Sequence, residues 1–169
     1  SEATRVFSYL ETKVRPTKPF RHIAVGQFNL KKTLLDLIEQ EIKNAGEGKN
    51  AEIILKMNSI EDKEMIEAIY NASQKGVTVK MIIRGICCLI PGIPGMSDNI
   101  EAISIVDKFL EHPRIFIFGN NGDPKVYISS ADWMTRNLDY RVEVLGPVRE
   151  DTHKQTLQAV LDIQWHDNV

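Results

Sequence analysis

His112 and Arg114, two residues apart, are the side chains in this sequence best suited to chemistry on phosphate. In an extended segment, side chains two positions apart point to the same side, so both would face one pocket. An imidazole can attack phosphorus or carry a proton near neutral pH, and a guanidinium can bind two phosphate oxygens at once. The pair therefore predicts a site for phosphoryl transfer.

Hydroxyl, amide and carboxylate side chains follow this pair along the sequence, at Ser129, Ser130, Asn137 and Glu143. Hydroxyl and amide groups can hydrogen-bond phosphate oxygens, and a carboxylate can hold an imidazole in one tautomer. The order of these residues resembles the second half of a phospholipase D-type motif. There is one departure, because Gly119 stands where that motif has an aspartate, and the basic residue is Arg rather than Lys.

Arg84 is a third candidate, because it ends a β-branched run that predicts a buried strand over residues 77–83. Open α/β sheets bind their ligands beyond the carboxyl ends of strands. Cys87 and Cys88 follow; neighbours in sequence form a disulfide only with strain, so we expect buried, reduced thiols. The Pro- and Gly-rich stretch 89–99 predicts a long ordered loop, which is more often functional than a simple connection.

Strand-like and helix-like segments alternate along the first half of the chain. Asn29 is expected to cap one helix, and Ser59 with Asp62 three residues later predicts the start of another. Residues 119–124 predict a hairpin turn, and a short turn is expected at 107–111. This order predicts an α/β domain with a mixed β-sheet flanked by helices. The predicted strands are 22–26, 52–57, 77–83, 103–106, 114–118, 125–130 and 140–145, and the last helix is 152–165.

Composition sets the limits of function. The 169 residues fit one domain, and 21 Lys and Arg against 23 Asp and Glu give a net charge of -2. This balance offers no general attraction to nucleic acid or to an anionic membrane, so nucleic acid is not an expected partner and any anion site must be local. No apolar run approaches the roughly 20 residues of a membrane helix, and no signal peptide is visible, so we expect a cytoplasmic protein.

Residues 1–21 differ in character from the rest. A short apolar pattern is followed by the Pro-bearing stretch 15–19, which is typical of a segment that enters a domain from elsewhere in a longer polypeptide. We therefore expect residues 1–21 to be an N-terminal segment or linker from an upstream domain. The catalytic domain is then expected over residues 22–169.

Several sequence strings, in this order, resemble the C-terminal domain of the polyphosphate kinases, over roughly residues 5–165. They are long and unusual, and together they are far more specific than a His-x-Arg pair alone. The strings are 56–59 (KMNS), 83–89 (IRGICCL), 91–95 (PGIPG), 109–112 (FLEH), 129–134 (SSADWM), 137–139 (NLD) and 141–144 (RVEV).

This resemblance implies a phospholipase D-like form of the α/β fold and a magnesium-dependent enzyme. The implied reaction moves the terminal phosphate of ATP reversibly onto inorganic polyphosphate through a phosphohistidine. The implied ATP- and phosphate-binding residues are Arg84 and His112, joined by Arg114 and, in the same pocket, by Arg141 and Glu143. His112 is the implied catalytic residue, as general acid/base or phosphate ligand.

The family's phosphorylated histidine, its magnesium-binding residues and its nucleotide-stacking tyrosine belong to motifs that this sequence does not contain. The resemblance therefore implies Mg²⁺ held mainly by residues outside this chain and no metal ligand within it. It also implies that upstream domains of the same polypeptide complete the site, that the fragment is inactive alone, and that the complete enzyme is a homo-oligomer. Peripheral membrane association of the full enzyme stays open.

Two other functions remain open from the residues alone. The chain could be a phospholipase D-like phosphodiesterase in which two copies of His112 meet in a homodimer, or a non-catalytic assembly module. Structural roles also stay open for single residues. Arg114 could be solvated at the rim, Arg141 and Glu143 could form a salt bridge on one strand face, and Asn58 could cap a helix.

Overall fold

The computed structural model of the chain describes residues 1–106 and 111–167. Within these ranges, seven strands form one sheet, and four α-helices pack around it. The strands are β1 Ala24–Val25, β2 Glu52–Met57, β3 Thr78–Ile83, β4 Ile100–Ile103, β5 Ile115–Phe118, β6 Lys125–Ser129 and β7 Val144–Val148. The helices are α1 Glu2–Thr12, α2 Leu30–Gly46, α3 Lys63–Gln74 and α4 Asp151–Trp165.

The strand order is β1-β7-β6-β5-β2-β3-β4, and the sheet is mixed, as predicted. β2, β3 and β4 are parallel to one another, whereas β5 and β7 run antiparallel to their neighbours. The carboxyl ends of β1, β2, β3, β4 and β6 therefore meet the amino ends of β5 and β7 at one side of the sheet. We call this side the site edge, and the other side the opposite edge.

Helices cover both faces of the sheet. On β2, Ile53 and Leu55 belong to the large cluster that packs against α2 and α3, while Ile54 lies on the face of α4 with Leu161. All four residues of β5 are buried, because this strand lies near the middle of the sheet and is covered on both sides. The two covered faces hold the strands rigidly enough to position residues at their ends.

Helix α1 packs on the β1 end of the sheet. Val6 contacts the cluster that contains Phe20 and Val25. The carboxylate of Glu2 accepts the backbone N–H groups of residues 21–23, just before β1. Residues 1–21 thus contain a docked helix. Within the described ranges, no helix combines the length and the apolar character needed to cross a bilayer.

Two strand boundaries differ from the prediction. β4 is Ile100–Ile103 rather than 103–106, because Ile100 pairs with Val79 and Ile103 with Ile82 in β3. The last strand begins at Val144 rather than at 140, because residues 136–140 form a π-helical turn. The predicted turn at 107–111 falls mostly on residues 107–110, which lie outside the described residues.

Three local predictions were wrong in whole or in part. Helix α3 is capped by Asp62, which accepts the Met65 N–H, and not by Ser59. Asn29 occupies the N-cap position of α2, as predicted, but its side chain accepts the Val25 N–H at the end of β1 rather than a helical N–H of α2. Cys87 and Cys88 are free thiols, but they are exposed rather than buried.

Candidate functional site

The polar residues singled out in the sequence converge at the site edge because of the strand directions. Chain segments that leave β2, β3 and β6 meet there with segments that enter β5 and β7. The residues brought to this edge are Asn58, Arg84, His112, Arg114, Ser129, Ser130 and Glu143.

Arg84 and His112 lie in contact at this edge. The Nη2 atom of Arg84 is 3.3 Å from both Nδ1 and Nε2 of the imidazole. The Nε–H of Arg84 donates to Oδ1 of Asn58 at 2.6 Å, which fixes the guanidinium at the end of β2. His112 is exposed, so its ring lies at the surface beside a cation. A group that approached the ring from solvent would meet an imidazole and a guanidinium together.

Arg114 faces into the protein. Its Nε–H donates to Oδ1 of Asp132 at 3.0 Å and its Nη2 donates to Oδ2 at 3.3 Å, a bidentate pair. Its Nη1 donates to the backbone oxygen of His112 at 3.2 Å. Both residues precede β5, which begins at Ile115. Arg114 therefore holds the backbone at His112, in addition to bringing a positive charge to the edge.

Asp132 joins the two sides of the site. Besides Arg114, it accepts the backbone N–H of Asn58 at 2.9 Å and the Asn58 side-chain amide at 3.3 Å. Burial alone would raise the pKa of Asp132, but the hydrogen bonds from Arg114 and Asn58 outweigh it, and the pKa lies below its usual value of 3.8. An ionised Asp132 thus links Asn58, which holds Arg84, to Arg114, which holds His112.

Gly85 permits the close approach of two strand ends. A Cβ atom at this position would lie 2.7 Å from Oγ of Ser59 and 2.9 Å from the backbone oxygen of Asn58. Any larger residue would push the end of β3 away from the end of β2. The contact between Arg84 and Asn58 therefore depends on the glycine that follows Arg84.

Glu143 lies buried beside the site, before β7. Its carboxylate accepts hydrogen bonds from the Ser130 hydroxyl and from Nδ2 of Asn137 at 2.8 Å. Within the part of the chain that the structure describes, Glu143 forms no salt bridge, with Arg141 or with any other cation. Arg141 is exposed. The two residues precede the strand rather than sharing a face of it, so the predicted alternative of an ion pair between them is wrong.

The two serines differ in role. The Ser130 hydroxyl donates to the Glu143 carboxylate and accepts the Val144 N–H at 3.0 Å. The Ser129 hydroxyl binds only backbone groups among the described residues: it donates to the Val144 oxygen at 3.1 Å and accepts the Ala131 N–H at 3.0 Å. Ser129 therefore satisfies backbone groups at the end of β6.

Sequence reasoning missed the role of Asp132. The signal was present, because Asp132 is an acidic residue directly after the predicted strand that ends in Ser129 and Ser130. The sequence could not show the partners of Asp132, because Asn58 and Arg114 lie at the ends of two other strands, β2 and β5.

Comparisons with known proteins agree with the string resemblance. A family model described as polyphosphate kinase C-terminal domain 2 matches residues 23–169. The polyphosphate kinase of Vibrio cholerae serotype O1 is 49% identical over all 169 residues, and that of Escherichia coli strain K12 is 46% identical over the same length. The chain spans 24% of the length of each of these curated relatives.

Solved structures give the same answer for the fold. The crystal structure of polyphosphate kinase from Porphyromonas gingivalis superposes with a TM-score of 0.94 and 42% identity, over 99% of this chain and 26% of that one. NUC from Salmonella typhimurium, a phospholipase D family member, superposes with a TM-score of 0.59 at 14% identity, over 85% of this chain and 93% of that one. The second likeness shows a shared fold alone. With the family model covering most of its length, the chain belongs to the polyphosphate kinase C-terminal domain family.

Proposed function

We propose that this chain is the part of a polyphosphate kinase that handles phosphate during the reversible transfer of the terminal phosphate of ATP to inorganic polyphosphate. The contact between Arg84 and His112 carries the proposal. A transferring phosphoryl group spreads negative charge over its oxygens, and catalysis rests on positioning and on fixed positive charge. Arg84 supplies such a charge beside an imidazole that can move a proton.

In this proposal His112 is the catalytic residue of the chain, as general acid/base or as a phosphate ligand. The family's phosphorylated histidine would come from an upstream domain and face His112 across the pocket. Arg84 binds phosphate oxygens directly. Arg114, whose Nε and Nη2 donors bind Asp132, adds positive charge from behind and holds His112 in place.

Glu143 and Arg141 have separate parts in the proposal. The carboxylate of Glu143 is suited to accept an N–H from an imidazole that enters the pocket, which would fix the tautomer of that ring. Arg141 is exposed and can reach toward a polyanionic chain. Both would contact ATP or polyphosphate phosphates only when the upstream domain closes the pocket.

Mg²⁺ is part of the proposal only for the complete enzyme. Mg²⁺ prefers carboxylate and water oxygens together with substrate phosphates. At the site edge Asp132 is bound by Arg114, and Glu143 is bound by Ser130 and Asn137. The described residues contain no group of three or more His, Cys, Asp or Glu side chains that could hold a metal ion. These residues do not fit a magnesium site, so no step assigned to this chain passes through the metal.

The remaining parts of the proposal concern the whole polypeptide. Catalysis requires the upstream domains, the isolated chain is inactive, and the complete enzyme is a cytoplasmic homo-oligomer. The phosphodiesterase alternative gains no support from the fold, because the phospholipase D relatives share the architecture at low identity. Gly119 still stands in place of the aspartate of that motif.

The test is His112→Ala in a full-length polyphosphate kinase that carries this chain. Loss of a general acid/base is expected to lower turnover about 10²- to 10⁴-fold in both reaction directions. Turnover would be measured as polyphosphate formed from ATP and as ATP formed from polyphosphate and ADP.

His153→Ala is the matched control, because His153 is an exposed histidine on α4 whose ion-pair partner among the described residues is Glu150. It should leave turnover unchanged. A near-normal rate for His112→Ala, with the fold intact by circular dichroism, would contradict the proposed role. Hydrolysis of a phosphodiester by the isolated chain would favour the phosphodiesterase alternative instead.

A further inference from the structure

A buried lysine lies directly beneath the segment that carries His112. Lys56 is on β2, on the face covered by α4, and its side chain is only 7% exposed. Its ammonium group forms an ion pair with Glu111 and donates to Oε1 of Gln164 at 2.6 Å. The Gln164 amide in turn donates to Oε2 of Glu111 at 2.8 Å. Lys56, Glu111 and Gln164 thus form a closed triangle, which we call the lysine latch.

The latch is held together by the cost of burying an ammonium group. A buried charge is strongly unfavourable unless an opposite charge and hydrogen bonds compensate it. Among the described residues, Glu111 is the carboxylate within salt-bridge distance of Lys56. The hydrogen bond from Lys56 keeps the pKa of Glu111 below its usual value, so the carboxylate stays ionised at neutral pH. The segment at Glu111 is therefore tied to the sheet.

The position of the latch links it to the proposed catalytic group. Glu111 directly precedes His112, and Arg114 holds the backbone oxygen of His112 from the other side. Lys56 lies two residues before Asn58, which holds Arg84. His112 is thus fixed on one flank by the latch and on the other by Arg114.

The space beside the latch is too small for a substrate. The cavity between Lys56, Arg84, Glu111 and Pro113 has a volume of about 10 Å³, room for no more than one water molecule. A phosphate group could not reach Lys56 through it. The lysine therefore acts on its protein neighbours and not on a bound phosphate.

We propose that Lys56 is a positioning residue, which sets the location of His112 through Glu111 and couples it to helix α4 through Gln164. This inference rests on the proposed function, because it matters for activity only if His112 takes part in phosphoryl transfer. A displacement of a reacting group by about 1 Å can cost on the order of 10²-fold in rate. Loss of the latch would let His112 shift from its position and would lower the rate for this reason.

The neighbouring strand provides a matched control. Lys80 on β3 lies on the same face of the sheet and contacts the same helix, with Nζ 5.6 Å from the ring centre of Trp165. Its carboxylate partner is Glu52, at 3.8 Å, at the opposite edge. Lys80 shares the chemical type and the helix contact of Lys56, but its side chain is 32% exposed, and among the described residues it does not contact the His112 segment.

The experiment compares Lys56→Met, Glu111→Gln and Lys80→Met in a full-length polyphosphate kinase that carries this chain. We expect the first two to lower kcat by about 10-fold or more, with KM for ATP changed by less than about twofold, because positioning affects the transition state. Lys80→Met should keep kcat within about twofold. The double variant Lys56→Met/Glu111→Gln should lose no more than either single variant, since the two residues act as one unit.

Glu111→Gln carries the test if Lys56→Met does not fold, because Glu111 is half-exposed. If kcat stays within about twofold in Glu111→Gln while His112→Ala lowers it by about 10²-fold or more, the latch has no positioning role and the proposed function stands. If His112→Ala also keeps its turnover, both the latch and the proposed function fail. An equal loss in Lys80→Met would show a general effect of α4 packing and would overturn the latch.

Discussion

Each of the two edges of the sheet holds a buried carboxylate, and folding shifts the pKa values of the two carboxylates in opposite directions. At the site edge, Asp132 is bound by the guanidinium of Arg114, and its pKa is lowered. At the opposite edge, Glu41 of α2 accepts the backbone N–H groups of Glu52 and Asn120. It has no salt bridge within the described ranges, and burial raises its pKa.

The partners of the two carboxylates distinguish a structural contact from one that also supports the proposed function. Glu41 joins α2 to the start of β2 and to the turn after β5, which are structural contacts away from the site edge. Asp132 joins backbone and side-chain donors that hold Arg84 and His112, so it serves the fold and the site together. Because its pKa is lowered, Asp132 is ionised at neutral pH. Its hydrogen bonds to Asn58 and Arg114 are therefore those of a carboxylate.

The largest expected effect is that of Asp132→Asn. The variant leaves the Arg114 guanidinium without its anion, and it places an amide N–H against the N–H donors of Asn58 and Arg114. We therefore expect the free energy of unfolding to fall by about 2–4 kcal/mol. The pKa of Asp132 is lowered on folding, so this contribution is present above about pH 3.8 and is lost as the pH falls below it. Denaturant unfolding of the chain as a function of pH measures both quantities.

The control for Asp132→Asn is Asp36→Asn. Asp36 forms an exposed ion pair with Lys32 at 2.6 Å, one turn along α2. Exposed pairs of this kind contribute only about 0.3–0.5 kcal/mol. Equal losses for the two variants would show that Asp132 does not have the central role assigned to it.

A smaller effect on the free energy of unfolding is expected for Glu41→Gln. Its dependence on pH is opposite to that of Asp132→Asn. The pKa of Glu41 is raised on folding, so its ionised form is disfavoured in the folded state. This unfavourable contribution is present above the raised pKa and disappears as the pH falls toward the usual value of 4.5. The wild type should therefore gain stability relative to Glu41→Gln as the pH is lowered from neutral toward 4.5. A difference that is constant over this range would contradict the burial of an ionisable Glu41.

The smallest effect is expected for Glu2→Gln, also at the opposite edge. Desolvation alone would raise the pKa of Glu2, but the three backbone N–H groups of residues 21–23 together outweigh it and lower this pKa to about 2. Its contribution to the docking of α1 is therefore present above about pH 4.5 and is lost between 4.5 and about 2. Hydrogen exchange at the amides of residues 21–23 should be faster in Glu2→Gln than in Glu11→Gln, a control on the same helix. Equal exchange would mean that these bonds do not hold α1.

Much of the candidate site could be proposed from the sequence, because its residues follow local rules. His112 and Arg114 are recognised by type and spacing, and Arg84 by its place after a β-branched strand. The family strings identified the fold, which the sheet and the comparisons confirm. The boundaries of β4 and β7 were predicted wrongly, because they depend on pairing with β3 and on the turn at 136–140 rather than on alternation.

The sequence by itself determined the alternation of strands and helices, the family and the chemical types at the site, since these are carried by neighbours a few residues apart. The tertiary structure decided which donors reach which acceptors. Asn58 and Asp132 are 74 residues apart in the chain, and Lys56 and Gln164 are 108 apart. Such contacts form only because strands of a mixed sheet end at a common edge and α4 crosses one of its faces, and no local pattern encodes that arrangement.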